Sequence, residues 1–247
     1  MKVMKILVIG ETCVDEFIYG EVTRISPEAP VPIFKPLETT QNAGMSGNVV
    51  ANLKAIDTNC EVIHLTPPGN ITKTRLVEKK SNHMFIRVDK GEDDVPHFEW
   101  TPFVDIALGQ ADIVIVSDYD KGYLRNIDLK EIAKKSPLSI LDSKRKLNSD
   151  IVEKFTFVKL NEQEYQNNPD LNTDNIIITL GAKGAQYRNI VFKSPKPQET
   201  IDVSGAGDTF VAAFALNYLE TKEPSQAIKY ANVMASRVVT KKGVATP

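Results

Sequence analysis

Short runs of Ile, Val and Leu recur along this chain and limit what it can fold into. Lys5 to Gly10 (KILVIG), Glu61 to Leu65, Asp112 to Ser117 (DIVIVS), Leu138 to Leu141, Phe155 to Leu160 and Asn175 to Leu180 each read as a strand. Runs this continuously apolar belong to strands buried on both faces, the condition of a parallel sheet covered by helices. Helical patterns sit between several of them, in Gln41 to Asp57 and from about Leu124 to Lys135. Alternating strands and helices predict a mostly parallel sheet with right-handed crossovers. Such sheets bind ligands beyond the carboxyl ends of their strands, which is where Asp15, the DYDKG segment and Asn161 fall.

Two stretches break the alternation. Glu16 to Lys35 carries Pro27, Pro30 and Pro32, a density that excludes a helix or an interior strand and places the segment outside the main sheet. After the TPPGN turn, Lys73 to Lys79 and Met84 to Asp89 read as a hairpin joined around Ser81 and Asn82. Lys73, Arg75, Lys79, Lys80, Arg87 and Lys90 make it the most basic part of the chain. Those charges either protect an edge strand from aggregation or clamp an anion.

The 247 residues, 42% of them hydrophobic, suffice for one large core. A net charge of -2 without basic clusters interleaved with aromatics argues against nucleic acid and against anionic membranes as partners. Cys13 and Cys60 are far apart, and His64, His83 and His97 are scattered, so neither a disulfide nor a zinc site is expected. Glu11 and Asp15 cut short the apolar run from Met1, which therefore reads as a first strand rather than a secretion signal. No run reaches membrane-spanning length, and a soluble cytoplasmic protein is expected.

The stretch Asp202 to Phe210, DVSGAGDTF, combines small residues that let the backbone turn sharply with the start of a helical pattern. Amides at a helix start attract an anion such as a phosphoryl group. Asp208 beside them is either a base that takes a proton from an attacking hydroxyl or a cap for its own helix.

GAGDTF resembles the C-terminal signature of the ribokinase-like carbohydrate kinases, and VDEFIYGEVTRISPEAPVPIF, from Val14 to Phe34, is similar to the opening of the bacterial heptose 7-phosphate kinases among them. The resemblance implies a single α/β domain over 1–247, a ribokinase-like three-layer sandwich with a mostly parallel central sheet. A small β lid, from about 16–35 and 72–90, would cover the sugar. Gly205, Ala206 and Gly207 would hold the phosphoryl group in transfer, with Asp208 as base. Asp15, Gly44 and Asn48 would contact the sugar, although Ala43 stands where the family has a first glycine. Lys121, in a matching motif, would help neutralise phosphate charge, and if the substrate carries a phosphate, Arg75 and Lys73 of the basic hairpin are the first choices for its clamp.

For the nucleotide, the resemblance implies Asn161 and Glu164 as the Asn-x-x-Glu pair that orients hydrated magnesium, with Glu164 on the metal side. An acidic helix start is the alternative for these two residues. Thr179, Gly181, Lys183 and Gly184 would form the nucleotide loop, and Asn232 would face adenine. ATP and magnesium are the expected cofactors. A sugar phosphate, the nucleotide and a second copy, joined through the lid or an exposed sheet edge, are the expected partners. The chain also departs from the family in its length: a strand-helix unit between the Asn48 helix and the basic hairpin is missing. A kinase for another sugar or nucleoside, or a shortened homologue that binds without catalysis, is therefore the alternative to a heptose phosphate kinase.

Overall fold

A computed structural model describes residues 3–69, 71–195, 203–241 and 245–247. Asp202, the first residue of the glycine-rich stretch, and Asn70, the last of the TPPGN turn, lie outside the described residues. The first strand, β1 (Lys5–Gly10), is fully hydrophobic after Lys5 and alternates its side chains between two cores. Ile6 and Val8 pack with helices α1 (Ser46–Ile56), α6 (Ala206–Thr221) and α7 (Pro224–Val238). Leu7 and Ile9 pack with α2 (Pro102–Gln110), α3 (Asn126–Lys135) and α4 (Ser149–Val152) on the opposite face. Each of these fully buried aliphatic side chains contributes roughly 1.5–3 kcal/mol, and together they make the helix–sheet–helix sandwich.

The sheet runs β12 (Ile190–Phe192), β11 (Ala185–Tyr187), β10 (Ile176–Thr179), β9 (Phe157–Asn161), β8 (Ser139–Ser143), β7 (Ile113–Asp118), β1, β4 (Glu61–Leu65). From β10 to β4 every pairing is parallel, and only the hairpin at the other end is antiparallel. The carboxyl ends of β1, β7, β8, β9 and β10 therefore open along one side of the sheet. In α6, Phe210, Phe214 and Tyr218 stack at centroid distances of 6.4 and 5.8 Å, the core face that their spacing predicts.

The lid is larger than expected. It is a four-stranded sheet in the order β3 (Pro32–Met45), β2 (Thr12–Ile25), β5 (Ile71–Glu78), β6 (Met84–Lys90). Strand β2 is interior, contrary to the expectation for Glu16 to Lys35. Its own residues carry no proline, while Pro32 and Pro36 sit on edge strand β3, where a missing amide costs little. The glycine turn expected before the Asn48 helix is also strand. Gly44 pairs with Cys13 and Met45 with Thr12, and the positive φ of Met45, 54°, turns the chain into α1. A long β2 template has drawn a polar, Thr- and Gln-containing segment into the sheet against its weak local pattern.

Between Leu65 and Ile71 there is space for a short turn only, so the missing strand-helix unit is missing in the fold as well. That leaves β4 at the sheet edge with Ile63 exposed. Helix α2 has no counterpart in the sequence reading, yet its signal was present: Thr101 caps Val104 and Pro102 occupies the first turn. Among the described residues no helix is long and apolar enough to cross a membrane.

Candidate active site

Helix α6 begins at Gly205, whose φ of +79° lies in the left-handed region that glycine tolerates, and no side chain caps it. Ala206 N reaches Val203 O only at 3.4 Å. An uncapped start on a helix of 16 residues presents amides and the positive dipole end to whatever lies ahead. A cavity of about 380 Å³ lies there, lined by Gly205, Ala206, Gly207 and Asp208. A Cβ on Gly207 would come within 3.1 Å of Lys159 Nζ, so glycine here lets an ammonium press against the turn.

Asp208 is 7% exposed, and its two oxygens are engaged from other elements. Asn48 Nδ2 donates to Oδ2 at 2.7 Å, and the Tyr119 hydroxyl donates to Oδ1 at 3.0 Å. Asn52 fixes the orientation of Asn48 by donating to its Oδ1 at 3.0 Å, and Thr209 in turn donates to Asn52 at 2.8 Å. The acid is thus gripped by Asn48 from α1 and by Tyr119 from the loop after β7. Burial, with the charge of Asp142 behind it, pushes its pKa up to about 6 against the lowering effect of Asn48, Lys159 and Tyr119. A carboxylate so placed can accept a proton near neutral pH.

Beneath the turn, Lys159 Nζ lies 3.1 Å from each oxygen of Asp142, and both residues are buried. Sequence reading passed over this pair. Its only sign was a lysine inside the apolar run of β9, a position where a charge needs a partner. Lys144, also on the cavity wall, donates to Glu164 at 2.5 Å. Burial opposes its charge, but Asp142 and Glu164 outweigh that and raise its pKa.

Asn161, Thr179, Gly181, Gly184 and Asn232 all line the same cavity, as the nucleotide reading requires. Asn232 also donates to Phe192 O at 2.8 Å. Lys183 does not line it and is exposed at the end of a single 3₁₀ turn. Asn161 and Glu164 cap α5 (Glu162–Gln166) reciprocally, at 2.7 Å in each direction. Glu164 thus gives one oxygen to the cap and the other to Lys144. Among the described residues no three His, Cys, Asp or Glu side chains converge as a metal cage. A magnesium ion carried on nucleotide phosphates fits these residues only through its own waters, the manner in which that ion usually binds.

The remaining predicted residues cluster where the lid meets the core. Arg75 Nη1 donates to Asp15 Oδ1 at 2.5 Å, and its guanidinium lies 4.9 Å from the Phe17 ring centroid, the residue opposite it in register. Gly44 is required beside them, because a Cβ there would fall 2.1 Å from Asp15 Oδ2. Glu92 bridges Lys73 at 3.2 Å and Lys121 at 2.6 Å. Cys13 sits between this cluster and Asp208: burial pushes its thiol up to about 12, and the charges of Asp15, Lys73, Arg75 and Asp208 all bear on it.

The profile described as pfkB family carbohydrate kinase matches residues 45–247. The bifunctional protein HldE of Desulfatibacillum aliphaticivorans is 27% identical over 98% of this chain and 61% of its own length. HldE of Helicobacter pylori strain J99 is 28% identical over 98% of the chain and 64% of its own. This chain thus spans about three fifths of the length of these curated relatives, and the first alignment extends over 302 positions, more than its 247 residues can fill. Among solved structures, the ribokinase of Arabidopsis thaliana complexed with ribose and ATP shares the fold at a TM-score of 0.72 and 16% identity, covering 98% of this chain and 94% of that one. The ribokinase of Cryptococcus neoformans in complex with ADP does so at 0.66 and 14%, covering 97% and 95%.

Proposed function

Since this chain belongs to the pfkB family of carbohydrate kinases, we propose that it transfers the γ-phosphoryl group of ATP to the anomeric hydroxyl of D-glycero-D-manno-heptose 7-phosphate, giving the 1,7-bisphosphate. One observation carries the chemistry: Asp208, held by Asn48 and Tyr119, borders the same cavity as the uncapped amides of α6. The choice of sugar is supported by the likeness of Val14 to Phe34 to heptose 7-phosphate kinases and by the cations under the lid.

Asp208 takes the proton of the sugar hydroxyl as it attacks, while the amides of Gly205, Ala206 and Gly207 receive charge growing on the phosphoryl oxygens. A general base contributes ~10²–10⁴-fold, so positioning and electrostatics supply the larger part of the acceleration. Asp15, Gly44 and Asn48 border the sugar, and Arg75, Lys73 and Lys121 face its distal phosphate. Bound magnesium would neutralise nucleotide phosphate charge, its water shell held by Asn161 and Glu164.

Pairing of two copies belongs to the same reading. Edge strand β6 is exposed throughout and carries Met84, Phe85, Ile86 and Val88. Sedimentation of the full chain at twice the monomer mass, lost on placing lysine at Ile86, is the expected result.

The test of function is mass spectrometry after incubation with ATP, magnesium and the heptose 7-phosphate. A bisphosphate product supports the whole reading. Product from another sugar alone would overturn the substrate, and unconsumed ATP across a panel of sugars and nucleosides would overturn the kinase reading.

A further inference from the structure

Glu11 is a fully buried acid, and the chemistry above makes no use of it. It follows β1, is 0% exposed, and spends its carboxylate on backbone amides of one loop. Oε2 accepts from Tyr119 N at 2.9 Å, and Oε1 accepts from Lys121 N at 3.0 Å and Tyr123 N at 3.4 Å. Asp120 at φ 56° and Gly122 at φ 94° turn alternate peptides so that these three amides point the same way. The loop is anchored at its other side by Asp118, which accepts from Asp120 N at 3.2 Å and from Arg145 Nε and Nη2 at 2.6 and 2.8 Å.

The loop so fixed delivers Tyr119 to the Asp208 end of the site. The Tyr119 hydroxyl donates to Asp208 Oδ1, while Lys144 Nζ stands 5.7 Å from the centroid of its ring. Burial and the neighbouring Asp208 raise the pKa of Tyr119, which keeps it a donor wherever the enzyme works. Because Asn48 already holds Oδ2, the tyrosine supplies the second fixed point that a carboxylate needs in order not to rotate about its bond.

We propose that Tyr119 is a positioning residue for the phosphoryl-transfer base, its hydroxyl clamping Asp208 while Glu11, buried beneath the loop, holds the Tyr119 backbone in place. The inference rests on the kinase reading for its catalytic meaning. The hydroxyl does two things at once: it aims the free lone pairs of Asp208 into the cavity, and it favours the ionised form that can accept a proton. The other groups that act on Asp208 are Asp142, Lys159 and Lys144 from the sheet ends, Cys13 from the lid, and the neutral amide of Asn48 from α1.

Tyr119→Phe removes one oxygen and keeps the packing, so it carries the test. The acid limb of kcat/KM should move up by about one pH unit, and the ¹³C-carboxyl titration of Asp208 in the substrate-free protein should move with it. Glu11→Gln should shift both in the same direction. The double variant should shift them no further than Tyr119→Phe alone, because the two act through one contact. An unmoved acid limb together with an unmoved Asp208 titration in Tyr119→Phe would overturn the proposal. Additive shifts in the double variant would overturn the part given to Glu11. The titration needs no substrate: were the wild-type chain to phosphorylate no sugar, a shifted Asp208 would leave the clamp standing and remove only its catalytic meaning.

Discussion

At the mouth of α6 the carboxylate of Asp208 is met by two neutral donors, Asn48 and Tyr119, whereas under the lid Asp15 is met by the guanidinium of Arg75 and Glu92 by two ammoniums. On the proposed function, the difference separates two tasks. A base must change its protonation state during the reaction, so a directly bonded cation, which would hold it ionised and depress its pKa, is kept one layer away at Lys159. A clamp for a phosphate must keep its charge throughout, so its cations wait in ion pairs that an incoming anion can replace. On that reading, the carboxylate that reacts meets neutral donors directly, and the carboxylates that store cations meet charges.

The largest effect expected from breaking this arrangement is in the layer behind the base. Lys159→Met strands Asp142 as an uncompensated buried charge and should cost about 3–5 kcal/mol of stability, read by urea unfolding. Combining it with Asp142→Leu should restore most of that loss. No recovery in the double variant would mean that the pair is not what holds these strand ends together.

Asp208→Asn comes next, with turnover expected to fall at least ~10²-fold while nucleotide binding, measured by calorimetry, is kept. Near-normal turnover would remove Asp208 from the chemistry. The same variant checks the pKa of about 6. A carboxylate whose folded pKa is raised holds its proton longer in the native state than in the unfolded chain. Stability from this group is therefore fullest at low pH and is lost as pH rises through about 6. Asp208→Asn should then raise Tm at pH 8 and lose that advantage toward pH 4. In the wild type, kcat/KM should fall tenfold for each pH unit below the pKa of the base.

The turn that carries Asp208 was legible in sequence because it is local: Gly205, Ala206, Gly207 and Asp208 are consecutive, and glycine at a helix start has few other uses. What tunes it was not. Asn48 lies 160 residues from Asp208 and Tyr119 lies 89 residues from it, and nothing in either segment announces the other. The central sheet was legible because strands buried on both faces must be continuously apolar, as KILVIG and DIVIVS are. Strand β3 was not, because its ladder comes from β2 and not from any pattern of its own. The basic lid residues were correctly picked out as charged, but their acid partners were not, since Glu92 lies in a loop with no periodicity to place it.

At the recognising end the effects are smaller. Arg75→Ala should weaken a phosphorylated sugar about tenfold and its unphosphorylated analogue much less, the difference being one charge-assisted contact. Equal weakening of both would mean that Arg75 serves only to hold Asp15 and Phe17. The smallest effect is the most telling about paired storage. Glu92 occupies Lys73 and Lys121 with one carboxylate, so a phosphate must displace it before using either cation. Glu92→Gln keeps the shape and removes the competitor. Affinity for the phosphorylated sugar should rise roughly two- to threefold, a gain kept small because both lysines lose an ordering partner as they are freed. The gain should shrink as salt is raised, since it arises from the net charge of a partly open site. A loss of affinity instead would show that Glu92 shapes the clamp and does not merely hold its place.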